Sequence, residues 1–155
     1  MLKHACNTGK IINIKKGQFL APWDMKGILQ KTGDAKTVWI TERGTSFGYN
    51  TLVVDFTGLD YMLNNYGSNN VIFDVTHAVQ KPGGLGGSSG GNREYVPGLS
   101  RAGAALGIQN FFMEVHEDPD NAPSDGPNML ELKSFDKVVG NIVKYRYENS
   151  NSNTS

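Results

Sequence analysis

The chain has 155 residues, 38% of them hydrophobic, which is enough for one globular domain with an ordinary core. Its 15 lysines and arginines balance 15 aspartates and glutamates, so bulk charge gives no reason to expect binding to nucleic acid or to an anionic membrane. The sequence contains neither an apolar run of membrane-spanning length nor a signal-type start. Cys6, the single cysteine, cannot form an internal disulfide, which favours a reducing compartment. We therefore expect a cytoplasmic protein.

Strand and helix patterns alternate along the chain. The start, MLKHACNTGK, has the pattern of a last helical turn closing at Gly9. Short runs rich in β-branched or aromatic residues predict four strands, at 10–15, 37–43, 71–77 and 109–116. Segments with helical spacing follow them, at 22–33, 50–67, 93–107 and 132–147. The polar segment 148–155 predicts a disordered tail, which leaves 1–147 as the folded domain.

This alternation indicates parallel strands joined by helical crossovers, an α/β fold. Two architectures fit: an open parallel sheet covered by helices, and part of a (β/α)8 barrel. A complete barrel takes eight units and roughly 250 residues. Only four units are visible in this sequence, and the pattern alone leaves both alternatives open.

Each predicted strand ends at or beside an ionisable side chain, namely Lys15, Arg43, His77 and Glu114. Any one of them could be a charged residue leaving the core for solvent. Four in phase are harder to explain in that way, because the carboxyl ends of parallel strands form the mouth of a barrel active site. The pattern therefore predicts a site at this edge of the sheet.

Two cations at neighbouring strand ends suggest a small polyanionic ligand. Strand alternation lets only one of Lys15 and Lys16 point toward the site, and we expect it to be Lys15. Arg43 precedes Gly44, which permits close backbone approach, and its guanidinium matches phosphate or carboxylate geometry. An ion pair of these cations with Glu42 or Glu114 is the structural alternative.

His77, Glu114 and Asp125 form a third group, suited either to a divalent metal or to acid–base chemistry. His116 and Glu117 are competing candidates, because alternation places Glu114 and His116 on one face of a strand. After His77 comes the glycine-rich segment QKPGGLGGSSGGNRE, which fits neither the phosphate-loop pattern nor the dinucleotide fingerprint. Its place between a strand and a helix favours a mobile active-site lid over a linker.

Four segments, in order and spacing, resemble the KDO phosphate synthase family (3-deoxy-D-manno-octulosonate 8-phosphate synthases of lipopolysaccharide biosynthesis). They are NIKKGQFLAPWDM, TERGTSFGYNTLVVD, FDVTHAVQKPGGLGGSSGG and MEVHEDPDNAPSDGP. The similarity runs from about residue 3 to about residue 145. It covers the carboxyl-terminal half of the family's enzyme, and so implies the last four units of a (β/α)8 barrel.

The resemblance implies a transferase that condenses phosphoenolpyruvate with arabinose 5-phosphate and water. By this similarity Lys15 and Arg43 match cationic contacts to phosphoenolpyruvate, and His77 matches a histidine near its phosphate. In metal-dependent members His77, Glu114 and Asp125 would be metal ligands; in the other class no cofactor is expected. The resemblance also places three residues in or beside the loop over the sugar phosphate, namely Gln80, Ser88 and Ser89.

The family's amino-terminal half has no counterpart here, so the resemblance implies that this chain alone is inactive unless an amino-terminal half chain supplies the rest. Full-length members are expected to be homo-oligomers. Two alternatives remain: the sister DAHP synthase, which also uses phosphoenolpyruvate, and a non-catalytic half-barrel that serves as an interaction module.

Overall fold

The computed structural model describes the backbone of residues 1–33, 35–83 and 90–152, and side chains in these ranges as far as residue 146. The strands are β1 (Ile12–Lys15), β2 (Val38–Glu42), β3 (Thr45–Gly48), β4 (Thr51–Val53), β5 (Val71–Asp74), β6 (Gln80–Lys81), β7 (Gly90–Gly91), β8 (Asn110–Phe112), β9 (Val115–His116) and β10 (Leu130–Glu131). The helices are α1 (Leu2–Cys6), α2 (Met25–Leu29), α3 (Phe56–Tyr66), α4 (Val96–Leu106) and α5 (Leu132–Ser152). In the described part of the chain, none of these helices has the length and apolar character needed to cross a bilayer.

Strands β1, β2, β5 and β8 form a four-stranded sheet in that order, and every pair is parallel. This confirms the predicted α/β class. The spatial order of the strands is also their order along the chain. A doubly wound sheet reverses its strand order near the middle, and this sheet does not.

The two faces of the sheet differ in chemistry because side chains alternate along each strand. One face packs against the helices, and its core includes Ile40, Val71 and Phe73 together with buried residues of α2, α3, α4 and α5. The opposite face carries polar groups: the Thr41 hydroxyl donates to Asn13 Oδ1 at 2.6 Å. The face that carries Asn13 and Thr41, away from the helices, is the polar face of the sheet.

Several predicted elements differ from the structure; for example, the helix predicted at 22–33 is a 3-10 turn followed by α2. The third strand ends at Asp74 and not at residue 77, because the Asp74 carboxylate accepts the His77 N–H at 2.9 Å and turns the chain. The predicted strand 109–116 is two strands, since the Glu114 N–H between them donates to the Thr76 hydroxyl at 2.8 Å. The predicted helix 50–67 begins only at Phe56, because β4 forms a hairpin with β3.

The carboxyl-terminal helix also differs from prediction. Helix α5 continues to Ser152, into the segment 148–155 that the sequence predicts to be a disordered tail. Asparagine and serine are weak helix formers, but adding a residue to an existing helix is far easier than nucleating one. The first turns of α5 are held by Val138 and Ile142, both buried in the core, and so supply that nucleus.

Helix α4 lies close to the sheet at Gly103. A Cβ there would come within 2.9 Å of Phe73 Cδ1 and 3.2 Å of Phe111 Cε1. In contrast, a Cβ at Gly140 in α5 would meet nothing within 4 Å. An alanine at Gly103 would therefore change both packing and helix propensity, whereas an alanine at Gly140 would change helix propensity alone.

We predict that G103A lowers the free energy of unfolding by about 1–2 kcal/mol, because overpacking outweighs the gain in helix propensity. The matched control G140A is expected to raise it by about 0.5–1 kcal/mol, since only propensity changes there. Urea denaturation of both variants measures the difference. Equal effects of the two substitutions would contradict the close packing of α4 on the sheet.

Candidate active site

The ionisable side chains predicted at the strand ends lie at the carboxyl edge of the parallel sheet. Lys15 is the last residue of β1, Arg43 directly follows β2, and Glu114 lies just after β8. His77 opens a short 3-10 turn after β5. Parallel strands end at the same edge, so segments far apart in sequence bring these groups together.

The centre of this edge is Asp74, whose side chain is fully buried. Its Oδ2 accepts from Lys15 Nζ and from His77 Nδ1, each at 2.8 Å, and its Oδ1 accepts from the His77 backbone N–H. Burial alone would raise the pKa of Asp74, but the hydrogen bonds from His77 and Lys15 outweigh it and hold that pKa below its usual value. Asp74 is therefore a carboxylate at neutral pH.

Because the Asp74 carboxylate can only accept, it fixes the orientation of the His77 ring. The Nδ1–H group donates a hydrogen bond to Asp74, and Nε2 therefore faces Glu114, with Nε2 and Oε1 3.7 Å apart. A carboxylate behind a histidine in this way holds the ring in one orientation. His77 is thus prepared to use Nε2 as a ligand or as a proton acceptor.

His77, Glu114 and Asp125 each offer a ligand atom, and these atoms all lie within 4.8 Å of one another. One imidazole and two carboxylates are a donor set suited to a divalent first-row metal. Glu114 Oε2 is buried and has no hydrogen-bond partner in the described part of the chain. A buried carboxylate oxygen without a partner is costly unless a cation or proton satisfies it, so this arrangement fits a metal ion.

Arg43 is joined to the same cluster through Gln80. The Arg43 guanidinium donates to Gln80 Oε1 at 2.8 Å, and Gln80 Nε2 donates to Asp125 Oδ1 at 3.1 Å. The amide of Gln80 thus links a cation to an acidic side chain of the candidate metal cluster. Arg43 itself is only partly buried, and so can reach a ligand at the edge of the sheet.

Lys15 lies on the other side of His77. Its ammonium is 3.4 Å from His77 Nδ1 and 4.4 Å from the centre of the Phe112 ring, where the face of the ring favours a cation. The candidate site therefore has Lys15 and Arg43 on two sides of a histidine and carboxylate cluster. Such a site can hold an anionic group beside the cations while His77 and the acids exchange protons with it.

The structure brings together six of the residues singled out from the sequence: Lys15, Arg43, His77, Gln80, Glu114 and Asp125. Ser88 and Ser89 lie outside the described residues. The competing candidates are not in this cluster: His116 Nδ1 accepts the Asp118 N–H at 3.0 Å, and Glu117 is exposed.

Sequence reasoning did not single out Asp74. The available signal was an aspartate within the apolar run VIFDV, three residues before a histidine. A buried carboxylate needs partners, and a histidine that close in sequence is an obvious one. The predicted alternative of an ion pair between the site cations and Glu42 or Glu114 is not what forms, since Lys15 pairs with Asp74 and Arg43 with Gln80.

Comparison with known proteins gives consistent matches across almost the whole chain. A profile described as the DAHP synthetase I family matches residues 1–147. Similar curated proteins named 2-dehydro-3-deoxyphosphooctonate aldolase come from Rickettsia bellii (strain OSU 85-389), Rhodopseudomonas palustris (strain TIE-1) and Caulobacter vibrioides (strain NA1000 / CB15N). They are 54%, 54% and 55% identical to this chain over 147, 148 and 147 residues.

In each case the match covers 94% of this chain but only 53%, 51% and 50% of the relative. The chain therefore spans about half the length of the curated relatives it matches. The profile match over residues 1–147 and the identity above 50% both show that this chain belongs to the DAHP synthetase I family.

Proposed function

We propose that this chain is the carboxyl-terminal half of an enzyme that condenses phosphoenolpyruvate with arabinose 5-phosphate and water. The products are 3-deoxy-D-manno-octulosonate 8-phosphate and inorganic phosphate. One observation carries the proposal: six residues implied by the resemblance meet at one sheet edge, in a chain 54% identical to a protein named 2-dehydro-3-deoxyphosphooctonate aldolase.

The strand order supports a barrel as the complete architecture. In a (β/α)8 barrel each parallel strand pairs with its neighbours in sequence, and the helices cover the outside. The sheet here follows that order over four strands, with the helices packed against one face. We propose that it corresponds to the last four units, and that the polar face faces the barrel interior.

We propose that Lys15 and Arg43 bind the carboxylate and phosphate of phosphoenolpyruvate. Their two fixed charges suit a small polyanion, and arginine adds a planar pair of donors. His77 would lie beside that phosphate, with Gln80 holding the Arg43 guanidinium in place. Ser88 and Ser89 are proposed to contact the sugar phosphate.

In the proposed reaction, C3 of phosphoenolpyruvate bonds to the aldehyde carbon of arabinose 5-phosphate, and water adds at C2. Loss of phosphate from C2 then gives the ketone of the product. Lys15 and Arg43 would keep the leaving phosphate neutralised, while nearby carboxylates stabilise positive charge developing at C2. In an enzyme without the metal, His77 Nε2 is placed to accept a proton, because Nδ1 donates to Asp74.

His77, Glu114 and Asp125 would hold the divalent metal in a metal-dependent enzyme. When bound, such an ion would act as a Lewis acid that orients and polarises an oxygen of the aldehyde or the water. The chain's own residues supply the rest, because Asp74 orients His77 and Gln80 ties Asp125 to Arg43.

We propose a cytoplasmic location and homo-oligomeric assembly for the complete enzyme. The remaining residues of the site would come from an amino-terminal half chain. Two other readings have less support. The similar proteins named above carry the octonate name and so do not favour the sister DAHP synthase. A non-catalytic half-barrel would not account for the hydrogen bonds that join Arg43, Gln80 and Asp125 at the site.

The first prediction from the proposed function concerns catalytic activity. The purified 155-residue chain is expected to form no 3-deoxy-D-manno-octulosonate 8-phosphate, because the sugar-phosphate site needs more of the barrel. Adding the amino-terminal half of a related synthase is expected to restore phosphate release that depends on arabinose 5-phosphate. A rate for the chain alone comparable to a full-length enzyme would contradict the half-site proposal. Release that depends on erythrose 4-phosphate instead would favour the sister enzyme.

The second prediction concerns phosphoenolpyruvate. K15M is expected to weaken its binding by about tenfold or more, since a charge-assisted hydrogen bond contributes about 1.5–3 kcal/mol. Isothermal titration calorimetry on the purified chain measures this, with K10M as a control at an exposed lysine before β1. Equal affinity of K15M and K10M would rule out a phosphoenolpyruvate contact by Lys15.

The third prediction concerns the metal. E114Q is expected to weaken Mn²⁺ binding by about tenfold or more, because it removes a charged oxygen from the cluster. The matched control E117Q changes an exposed glutamate only three residues away and is expected to have no effect. Electron paramagnetic resonance of added Mn²⁺ measures free and bound ion. Similar losses in both variants would argue against the His77, Glu114 and Asp125 cluster as the metal site.

A further inference from the structure

A second pair of charged residues lies behind the site, and the proposed reaction does not use it. Lys16 and Glu42 are only 1% and 3% exposed, and Lys16 Nζ lies 3.3 Å from Glu42 Oε2. Lys16 follows β1 on the side opposite Lys15, and Glu42 is the last residue of β2. Each member of the pair is thus next in sequence to a site cation, Lys15 or Arg43.

Burying this ion pair costs free energy, because both charged groups lose their hydration. Burial raises the pKa of Glu42, and the Lys16 charge and the Gly44 N–H offset that rise only in part. Apolar side chains of similar volume often stabilise a fold as well as a buried ion pair does. What the pair adds over apolar residues is a set of directed hydrogen bonds.

Those hydrogen bonds tie together the segments that carry the site cations. Lys16 Nζ donates to the carbonyls of Gly17 and Leu20, at 3.3 and 3.2 Å, and to the Thr45 hydroxyl at 3.2 Å. The turn after β1 is thereby joined to β3. Glu42 Oε1 accepts the Gly44 N–H at 2.7 Å and so closes a tight turn around Arg43.

The turn around Arg43 packs against the 3-10 turn that begins at His77. Gly44 has φ of 88°, and a Cβ at this position would come within 3.3 Å of the Ala78 Cα. Ala78 directly follows His77 in the 3-10 turn. The backbone of the arginine turn therefore rests on the backbone of the histidine turn, with Glu42 holding the arginine turn in shape.

We propose that the buried Lys16–Glu42 pair is a positioning element that sets the spacing of Lys15, Arg43 and His77 for a phosphate-bearing ligand. The pair touches no ligand itself. It acts through the backbone of the two turns, by the Gly44 hydrogen bond and the Gly44–Ala78 contact. The choice of phosphoenolpyruvate as the ligand rests on the proposed function, but the positioning role can be tested without it.

The test compares the wild-type chain with K16M/E42M, which keeps side-chain volume but removes the directed hydrogen bonds. Urea denaturation first establishes that the double variant is folded. A nuclear Overhauser cross-peak between Gly44 and Ala78 Hα protons then reports whether the two turns still touch. Calorimetry measures phosphoenolpyruvate affinity. We expect the cross-peak to be lost and the affinity to fall by about tenfold or more, since small displacements of binding groups are costly.

The conservative variant E42Q keeps an oxygen that can accept the Gly44 N–H, while its NH2 group replaces the oxygen that faces Lys16 Nζ. It is expected to retain the cross-peak and to bind phosphoenolpyruvate within about threefold of wild type, because the role is hydrogen bonding in a fixed geometry. A pair that served only overall stability would instead leave the cross-peak and the affinity unchanged in every folded variant.

The outcomes separate this proposal from the proposed function. If wild type does not bind phosphoenolpyruvate but K16M/E42M loses the cross-peak, the proposed function fails and the positioning role stands. A retained cross-peak in the folded double variant, or unchanged affinity despite its loss, would overturn the positioning role. Should the double variant not fold, G44A disturbs the same contact from the other side. Unchanged Gly44–Ala78 separation or unchanged affinity in folded G44A would overturn the role equally.

Discussion

The candidate site depends on one buried carboxylate. Asp74 ends a strand in the middle of the sheet, and a charge at that depth requires partners. Its partners are Lys15 from β1, two strands away in the sheet, and His77 from its own turn. The direction of the histidine ring, the place of the lysine and the early end of the strand all follow from satisfying this single group. The geometry of the candidate site therefore follows from the need to neutralise a buried charge in the core.

The sequence predicted the α/β class. Because each predicted strand ends at or beside an ionisable residue, it also pointed to Lys15, Arg43, His77 and Glu114. The spacing of apolar residues identifies whole strands, because the alternation continues along each strand. It could not predict where a strand stops when a side chain captures the next turn, as Asp74 does with the His77 N–H. The hairpin of β3 and β4 was missed because the short run TLVV continues smoothly into a helical pattern. The Gln80 link depends on contacts 37 and 45 residues apart, which no local pattern contains.

Adjacent lysines illustrate how one strand serves two purposes. Lys15 faces the polar side with His77, whereas Lys16 is buried on the opposite side with Glu42. Alternation separates them without any further device, because neighbouring residues at a strand end point to opposite faces. One lysine thus lies in the candidate site and the other forms a buried ion pair. The residue type alone does not show which lysine has which environment.

The strand order has a consequence for how the chain reaches this structure. Each parallel pairing joins strands that are consecutive in the sheet-forming sequence: Ile12 pairs with Val38, Ile40 with Val71 and Ile72 with Asn110. Every closure therefore spans one strand and its crossover, and the entropy of closing such loops changes only slowly with their length. During synthesis from the amino terminus, β2, β5 and β8 would each leave the ribosome after the strand with which they pair. The sheet can thus assemble vectorially, with every new strand finding its template already in place.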